Sequence, residues 1–509
     1  MKKITEIIGK IGLLPEEIEL YGNYKAKINY DYEKEKNNGK LILITSTNPT
    51  PFGEGKTTLS IGLSDSLNKL GKKSIAVLRE PSLGPVFGTK GGACGGGLAK
   101  IEPELDINLH FNGDFHAITS ANNLISSVID NHIYQGNELK IDEVVFNRCL
   151  DINDRSLRKV KLEDREEKFN ITPASEIMAI LCLSKNIYDL KERIKNIIVG
   201  YTKEKKEVYV KDLKCEDAVT ILLKDALKPN LVQSLYNNPV IVHGGPFANI
   251  AHGCNSIIST LTALKLSDYV ITEAGFGSDM GALKFLDIKC RNNNIYPDII
   301  VINTTIKSLK YNGHNILEKG IENLKYHILN MKKFSNVIVS LNKFEDDIDD
   351  EIKYIEKYVK DLNIPFVIST MYKDGENGCI ELANKIVEIK ETIKKYEIYK
   401  LEDKLEDKIK KMCLMFGCND IEINENIKEK IKYLDKYKYP ICIAKTPYSI
   451  SDDKNKLGFP KNFKMKITDI KVFNGAKFIV IYMGNILTMP GLSKNPNYLN
   501  MNINDIISK

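Results

Sequence analysis

Lys56 and Thr57 close the run Thr50-Pro-Phe-Gly-Glu-Gly-Lys-Thr57, and no other pair in this chain is better spaced to handle a phosphate. In such a loop the ammonium reaches the β and γ oxygens of a nucleotide while the hydroxyl holds a Mg²⁺ ion. Thr50, Pro51, Phe52, Gly53, Glu54 and Gly55 form the rest of the cradle, where backbone N–H groups and the positive end of a following helix face the anion. The first position departs from the usual pattern, which has Gly where this chain has Thr50. A second group follows. Arg79 and Glu80 end an apolar run that starts at Ser74, the glycine-dense loop Phe87–Gly97 comes next, and Asp106–Asp114 carries further polar residues. Arg79 and Glu80 would sit at the C-terminal end of a parallel strand, which is where ligands bind in open α/β sheets.

These residues need particular elements to hold them. Leu41-Ile-Leu-Ile44 reads as the strand leading into the loop. Leu59, Leu63, Leu67 and Leu70 fall at helical spacing behind it, and Gly71 supplies a stop. Further β-rich runs recur at 240–243, 269–273, 298–303, 336–341 and 365–369, with helical segments between them, so the strands run parallel. Ile4, Ile7, Ile8 and Ile11 mark one face of an N-terminal helix, followed by a polar, Tyr- and Lys-rich arm at 21–27. The expected fold class is α/β: a large P-loop-containing, doubly wound parallel-sheet domain with two smaller mixed α/β domains. Residues 1–323 form the first, 324–415 the second and 416–509 the third.

The chain has 509 residues, 43% of them hydrophobic and 28% charged, which fits two or three globular domains with substantial cores. Its net charge of +6 is small, and Lys is interspersed with Asp and Glu along the helical tracts. That pattern makes a solvated surface, so no nucleic-acid partner is expected. None of the ten cysteines stands in a C-x-x-C pair, and reduced, mostly buried thiols in a cytoplasmic protein are the expectation. No stretch approaches the ~18 apolar residues of a membrane span, so no membrane partner is expected either.

Thr50–Thr57, Arg79–Pro85, Gly91–Gly97 and Asp106–Asp114 together resemble formate–tetrahydrofolate ligases. The resemblance continues through Asn122–Leu124, Ile129–Leu139, Lys228–Gln233, His243–Ser256, Thr272–Asp279, Phe285–Arg291, Ala444–Asp453 and Thr488–Leu492, over roughly residues 1 to 495. It implies ATP with Mg²⁺, formate and a polyglutamylated tetrahydrofolate as partners, and a homo-oligomer, a tetramer in the family. A monovalent cation, K⁺ or NH₄⁺, stays open. The implied reaction makes formyl phosphate from formate and ATP, then passes the formyl group to N10 of the folate. Lys56, Thr57 and Arg79 are then the candidates for the first step, Arg79 because a planar guanidinium grips a carboxylate through two parallel bonds. Glu80 and Asp114 are candidates for positioning metal or substrate. His110, His116, His243 and His252 lie in motif loops without a role that sequence assigns. In the resembling family a Phe and a Trp sandwich the pterin. The matching positions here are Phe344 and Tyr372, and the chain contains no Trp. Departures also include shorter segments near 159–170 and 311–320, Ser493 in place of a Pro, and an Asn-rich tail.

Two rival readings remain at this level. Asn342-Lys-Phe-Glu345 is one residue away from the Asn-Lys-x-Asp signature that reads guanine in regulatory GTPases, which suggests a switch or maturation factor. A catalytically silent paralogue is the other, against which the intact Lys56, Thr57 and Arg79 argue. The aromatic pair yields a direct test of the ligase reading. Tyr372→Ala should weaken tetrahydrofolate binding while leaving ATP binding intact, and Tyr372→Trp should match or exceed the parent. Offset stacking is worth about 0.5–1.5 kcal/mol beyond area burial. Titration calorimetry decides it: a Tyr372→Ala protein that melts lower yet binds folate normally would assign the ring to packing.

Overall fold

The structure, a computed structural model, describes residues 1–34, 39–51, 53–162, 165–390 and 395–504. At its centre lies a mostly parallel sheet. In chain order its main strands are β1 (Ile18–Leu20), β2 (Ala26–Ile28), β3 (Lys40–Ser46), β4 (Ser74–Leu78), β5 (Asn230–Ser234), β6 (Pro239–Val242), β7 (Tyr269–Glu273), β8 (Ile299–Thr304), β9 (Asn336–Asn342) and β10 (Phe366–Ser369). Across the sheet the order is β1-β2-β5-β6-β4-β7-β3-β8-β9-β10. From β6 to β10 each neighbouring pair is parallel. The β1, β2, β5 and β6 end is antiparallel. The chain is therefore mixed α/β around a large, mostly parallel sheet.

Strand identity follows from burial on both faces, which parallel packing demands and which the near-continuous Ile, Val and Leu runs satisfy. Every residue of β7 and β8 is buried, as is all of β3 after Lys40. The helices follow the spacing of their apolar residues. In α1 (Ile4–Ile11) the four isoleucines at 4, 7, 8 and 11 are all buried. In α2 (Lys56–Lys69) Leu59, Leu63 and Leu67 are buried, while Leu70 lies at the exposed cap. A third helix, α3 (Asp114–Tyr134), starts after Gly113. All ten cysteines are free and buried. No helix among the described residues is long and apolar enough to cross a membrane.

In two places the molecule differs from what pattern alone conveys. The Tyr- and Lys-rich arm enters the sheet as β2, pairing with β1 and β5, although Lys27 lies in its middle. Lys27 is fully buried because its ammonium meets Asp114 at 2.5 Å and the Lys228 carbonyl at 3.1 Å. The second difference concerns β9 and β10, which belong to residues 324–415. They continue the main sheet beyond β8, with Asn342 opposite Ser369 at its outer edge.

Residues beyond 416 build a separate four-stranded sheet from β11 (Asp420–Glu422), β12 (Ile441–Ala444), β13 (Lys464–Phe473) and β14 (Phe478–Met483), in the order β11-β13-β14-β12. A buried polar junction ties the segment after β12 to the main sheet. Lys445 pairs with Asp279 at 2.6 Å, both side chains wholly inaccessible, and Asn48 bonds both Asp279 and the Pro447 carbonyl. Removing one partner strands the other charge in a dry interior. Lys445→Ala should therefore cost about 3–5 kcal/mol, a fall of about 4 °C in melting temperature for a chain this long. A loss under about 1 °C in a thermal melt would mean that water or rearrangement satisfies Asp279.

Candidate active site

The 50–57 loop leaves the end of β3, near the middle of the sheet, and α2 begins at Lys56. Gly55, the residue before the helix, has φ +73°, a left-handed conformation natural to glycine. A Cβ there would also come within 2.8 Å of the Asn342 amide at the end of β9. Glu54 is buried and braces the loop from inside: its carboxylate accepts from the Thr50 N–H at 2.8 Å and the Thr305 hydroxyl at 3.2 Å. Asn303, on β8, donates to the Glu54 carbonyl. Phe52 lies outside the described residues.

Lys56 donates to the Ser46 hydroxyl at 3.1 Å. Burial pushes its ammonium below the ordinary lysine value, and the nearby positive charge of Arg79 adds to this, while Glu273 and Glu54 oppose it. The Thr57 hydroxyl donates to Glu273 Oε2 at 2.9 Å. Glu273 ends β7, the strand next to β3, and is buried. Sequence reasoning passed over it. The available signal was a carboxylate closing a β-rich run beside the phosphate-loop strand.

Thr57 and Glu273 offer hard oxygen donors, the kind that suit Mg²⁺. Among the described residues no group of three or more His, Cys, Asp or Glu side chains is disposed to hold a metal. An ion at this place would therefore rest on the Thr–Glu pair and on a ligand's own oxygens, as Mg²⁺ at a nucleotide does.

Arg79 lies just past β4, half-buried. Its two terminal nitrogens come 3.1 and 3.2 Å from the place where Gly275 would carry a Cβ, and its buried Nε has no hydrogen-bond partner. Lys90, on the glycine-dense loop, joins the same group of charges. The residue as a whole is exposed, yet burial of its ammonium, then the charge of Arg79 and of Lys56, lowers it to about 8 against the pull of Glu273. Lys56, Arg79 and Lys90 thus act on one another's charge in a neighbourhood that includes Glu273, and the buried Arg79 Nε–H is unspent.

Glu80 and Asp114 stand apart from that group. Asp114 gives one oxygen to Lys27 and the other to the Asn230 amide at 2.8 Å. Burial, then the charge of Asp114, holds the Glu80 carboxyl well above the usual range, and its buried Oε2 has no hydrogen-bond partner. Of the loop histidines, His110 and His116 are exposed. His243 bonds Ser256 Oγ at 2.6 Å and the Ala226 carbonyl at 2.7 Å, and burial lowers it to about 4. His252 is fully buried with neither ring nitrogen partnered; burial, then the charges of Lys289 and Arg79, keep it neutral.

Phe344 and Tyr372 follow β9 and β10, whose ends lie side by side through the Lys343 N–H to Ser369 carbonyl bond. Both rings are open to solvent, 39% and 63% exposed. Tyr372 rests on the glycine-dense loop: its carbonyl accepts from the Leu98 N–H at 2.9 Å, and a Cβ on Gly97 would collide with that carbonyl at 2.0 Å. The next residue back, Met371, packs against Gly62 of α2. The aromatic pair, the glycine-dense loop and the phosphate loop thus share one rim of the sheet.

Comparison with known proteins covers nearly the whole chain. The family model described as formate–tetrahydrofolate ligase matches residues 1–508. A formate–tetrahydrofolate ligase of Campylobacter concisus (strain 13826) is 52% identical over 99% of this chain and 96% of its own length. One of Campylobacter curvus (strain 525.92) is also 52% identical, over 98% and 95% respectively.

The buried acid pair leads to a pH test. Glu80 binds its proton more tightly folded than unfolded, so its contribution to stability falls as pH rises above about 4.3, the unfolded value, toward its raised folded value. Glu80→Gln lacks that fall. Its melting temperature relative to the parent should therefore rise steadily between pH 5 and pH 8. A difference that stays flat across that range would show that Glu80 ionises normally.

Proposed function

The chain belongs to the formate–tetrahydrofolate ligase family: it joins formate to tetrahydrofolate at the expense of ATP, and we propose that the rim formed by the 50–57 loop, Arg79 and the two aromatic rings is where it does so. The observation that supports this placement is the Thr57 hydroxyl bound to the buried Glu273, where the loop after β3 meets the end of the adjoining β7 with Lys56 alongside.

Formate is a poor electrophile and N10 of the folate a weak nucleophile, so the acyl carbon must first be activated. In the reading we favour, a formate oxygen attacks the γ-phosphorus of ATP, the bond to the bridging oxygen breaks, and ADP leaves with formyl phosphate formed. Lys56 meets charge developing on the transferred phosphoryl group, and the loop N–H groups hold the remaining phosphate oxygens. Thr57 and Glu273 would hold the Mg²⁺, which would supply neutralisation of phosphate charge. Arg79 orients formate and then the acyl phosphate through paired N–H bonds, which its unpartnered Nε leaves it free to make. Phe344 and Tyr372 clamp the pterin. N10 then attacks the formyl carbon, the carbon–oxygen bond to phosphate breaks, N10 loses its proton, and 10-formyltetrahydrofolate and phosphate leave.

A guanine-reading switch is not favoured, because the full-length relatives are ligases and Glu345 replaces the Asp that such a signature requires. The test is formation of 10-formyltetrahydrofolate from formate, MgATP and tetrahydrofolate, with each component omitted in turn. Lys56→Ala should lower turnover by roughly 10²–10³, the effect of losing one preorganised electrostatic donor, with folate binding hardly changed. Near-normal turnover in that variant would remove the 50–57 loop from the catalytic centre.

A further inference from the structure

The Arg79 guanidinium makes no hydrogen bond or ion pair among the described residues, so packing is what holds it in place. It packs on Gly275, two residues past the end of β7. The point where Gly275 would carry a Cβ lies 3.1 and 3.2 Å from the two terminal nitrogens of Arg79, and 2.8 Å from the Ala248 methyl. The Gly275 N–H donates to the Gly253 carbonyl at 2.9 Å, and a Cβ on Gly253 would collide with that same methyl. The loop 248–253 is therefore the back wall of the bed on which the arginine lies.

That wall is gripped from behind. Ser278–Ala282 and Phe285–Cys290 are wound as π-helix, a rare, wide form found frequently at functional sites. Gly281, on the first of these turns, lies so near that a Cβ there would strike the Gly275 carbonyl. Lys284, between the two turns, is buried and donates to the Ala248 and Asn249 carbonyls at 2.5 and 3.0 Å. Lys289 secures the far end of the loop, donating to the Asn255 carbonyl at 2.9 Å and to Asn255 Oδ1 and the Thr260 hydroxyl at 2.8 Å each. Neither lysine makes an ion pair among the described residues, and Asp279, whose charge reaches Lys284, is already bound by Lys445. Desolvating an ammonium onto carbonyls alone is costly. What the Lys284 ammonium supplies is a fixed course for the backbone at 248–249.

We propose that Lys284 is a positioning residue for formate: by gripping the 248–249 carbonyls it holds the Ala248 methyl against Gly275, and Gly275 sets where the Arg79 fork lies. The proposal rests on the assignment of Arg79 to formate made above. Lys284 itself touches no substrate. A guanidinium held by packing moves when its wall moves, and a misplacement of about 1 Å costs a reaction on the order of 10²-fold.

Initial rates of 10-formyltetrahydrofolate formation by the full chain test this, with formate, ATP and tetrahydrofolate varied in turn. Four proteins serve: the parent, Arg79→Lys, Lys284→Met and Ala248→Gly. Lys284→Met should raise the KM for formate at least about tenfold and leave the KM values for ATP and tetrahydrofolate within about twofold of the parent. A merely structural lysine would move all three together or none. Ala248→Gly removes the methyl and keeps the lysine, and it should raise the formate KM alone, by about threefold. That variant decides the matter if Lys284→Met does not fold. An unchanged formate KM in Arg79→Lys would overturn the assignment of Arg79 on which the proposal rests. If Arg79→Lys is impaired toward formate, a parental formate KM in folded Lys284→Met, or equal rises for all three substrates, would overturn the proposal by itself.

Discussion

Everything at the candidate rim depends on one constraint: parallel strands place all their C-terminal ends on the same edge. Because β6, β4, β7, β3, β8, β9 and β10 run the same way, residues far apart in sequence leave the sheet as neighbours. Glu273 arrives beside Thr57 because β7 pairs with β3, and Asn303 reaches the Glu54 carbonyl because β8 pairs with β3 on the other side. The 50–57 loop is thus held from both flanks as well as from its own strand and helix. Phe344 and Tyr372 reach the same edge by the same rule, two strands further out.

Two buried polar pairs hold the stretches of chain that surround the rim. Lys27 and Asp114 pin the N-terminal arm into the sheet, and Lys445 and Asp279 pin the C-terminal segment beside Asn48, just ahead of the loop. Such pairs add little net stability compared with apolar packing of the same volume, but breaking one is severe. Their effect is positional. They make the alignment of three stretches of chain an all-or-none matter around a loop that tolerates little displacement.

The histidines show how burial sorts groups that look alike in sequence. His243 and His252 occupy the same motif stretch, and both are driven neutral by desolvation. His243 spends both nitrogens on the protein, whereas His252 spends neither and lies within reach of the Arg79 charge. Glu80 and Arg79 divide in the same way. Adjacent in the chain, they face different surroundings, one a buried acid, the other a glycine loop.

The sequence by itself determined the elements and the family. The isoleucines of α1, the leucines of α2 and the unbroken apolar runs of β3, β7, β8 and β9 carry their own period, and periodicity is a local property that needs no partner to be read. The 50–57 loop and Arg79 stood out for the same reason, as short motifs in fixed local context, while positions 344 and 372 were singled out by resemblance to the family. What only the tertiary structure decided was adjacency. That Lys27 could be buried in a strand depended on Asp114, 87 residues away. That Glu273 answers Thr57 and that β9 and β10 extend the main sheet are facts about pairing between separate stretches of chain. Strand order and desolvation set them, and neither is written in any one stretch of chain.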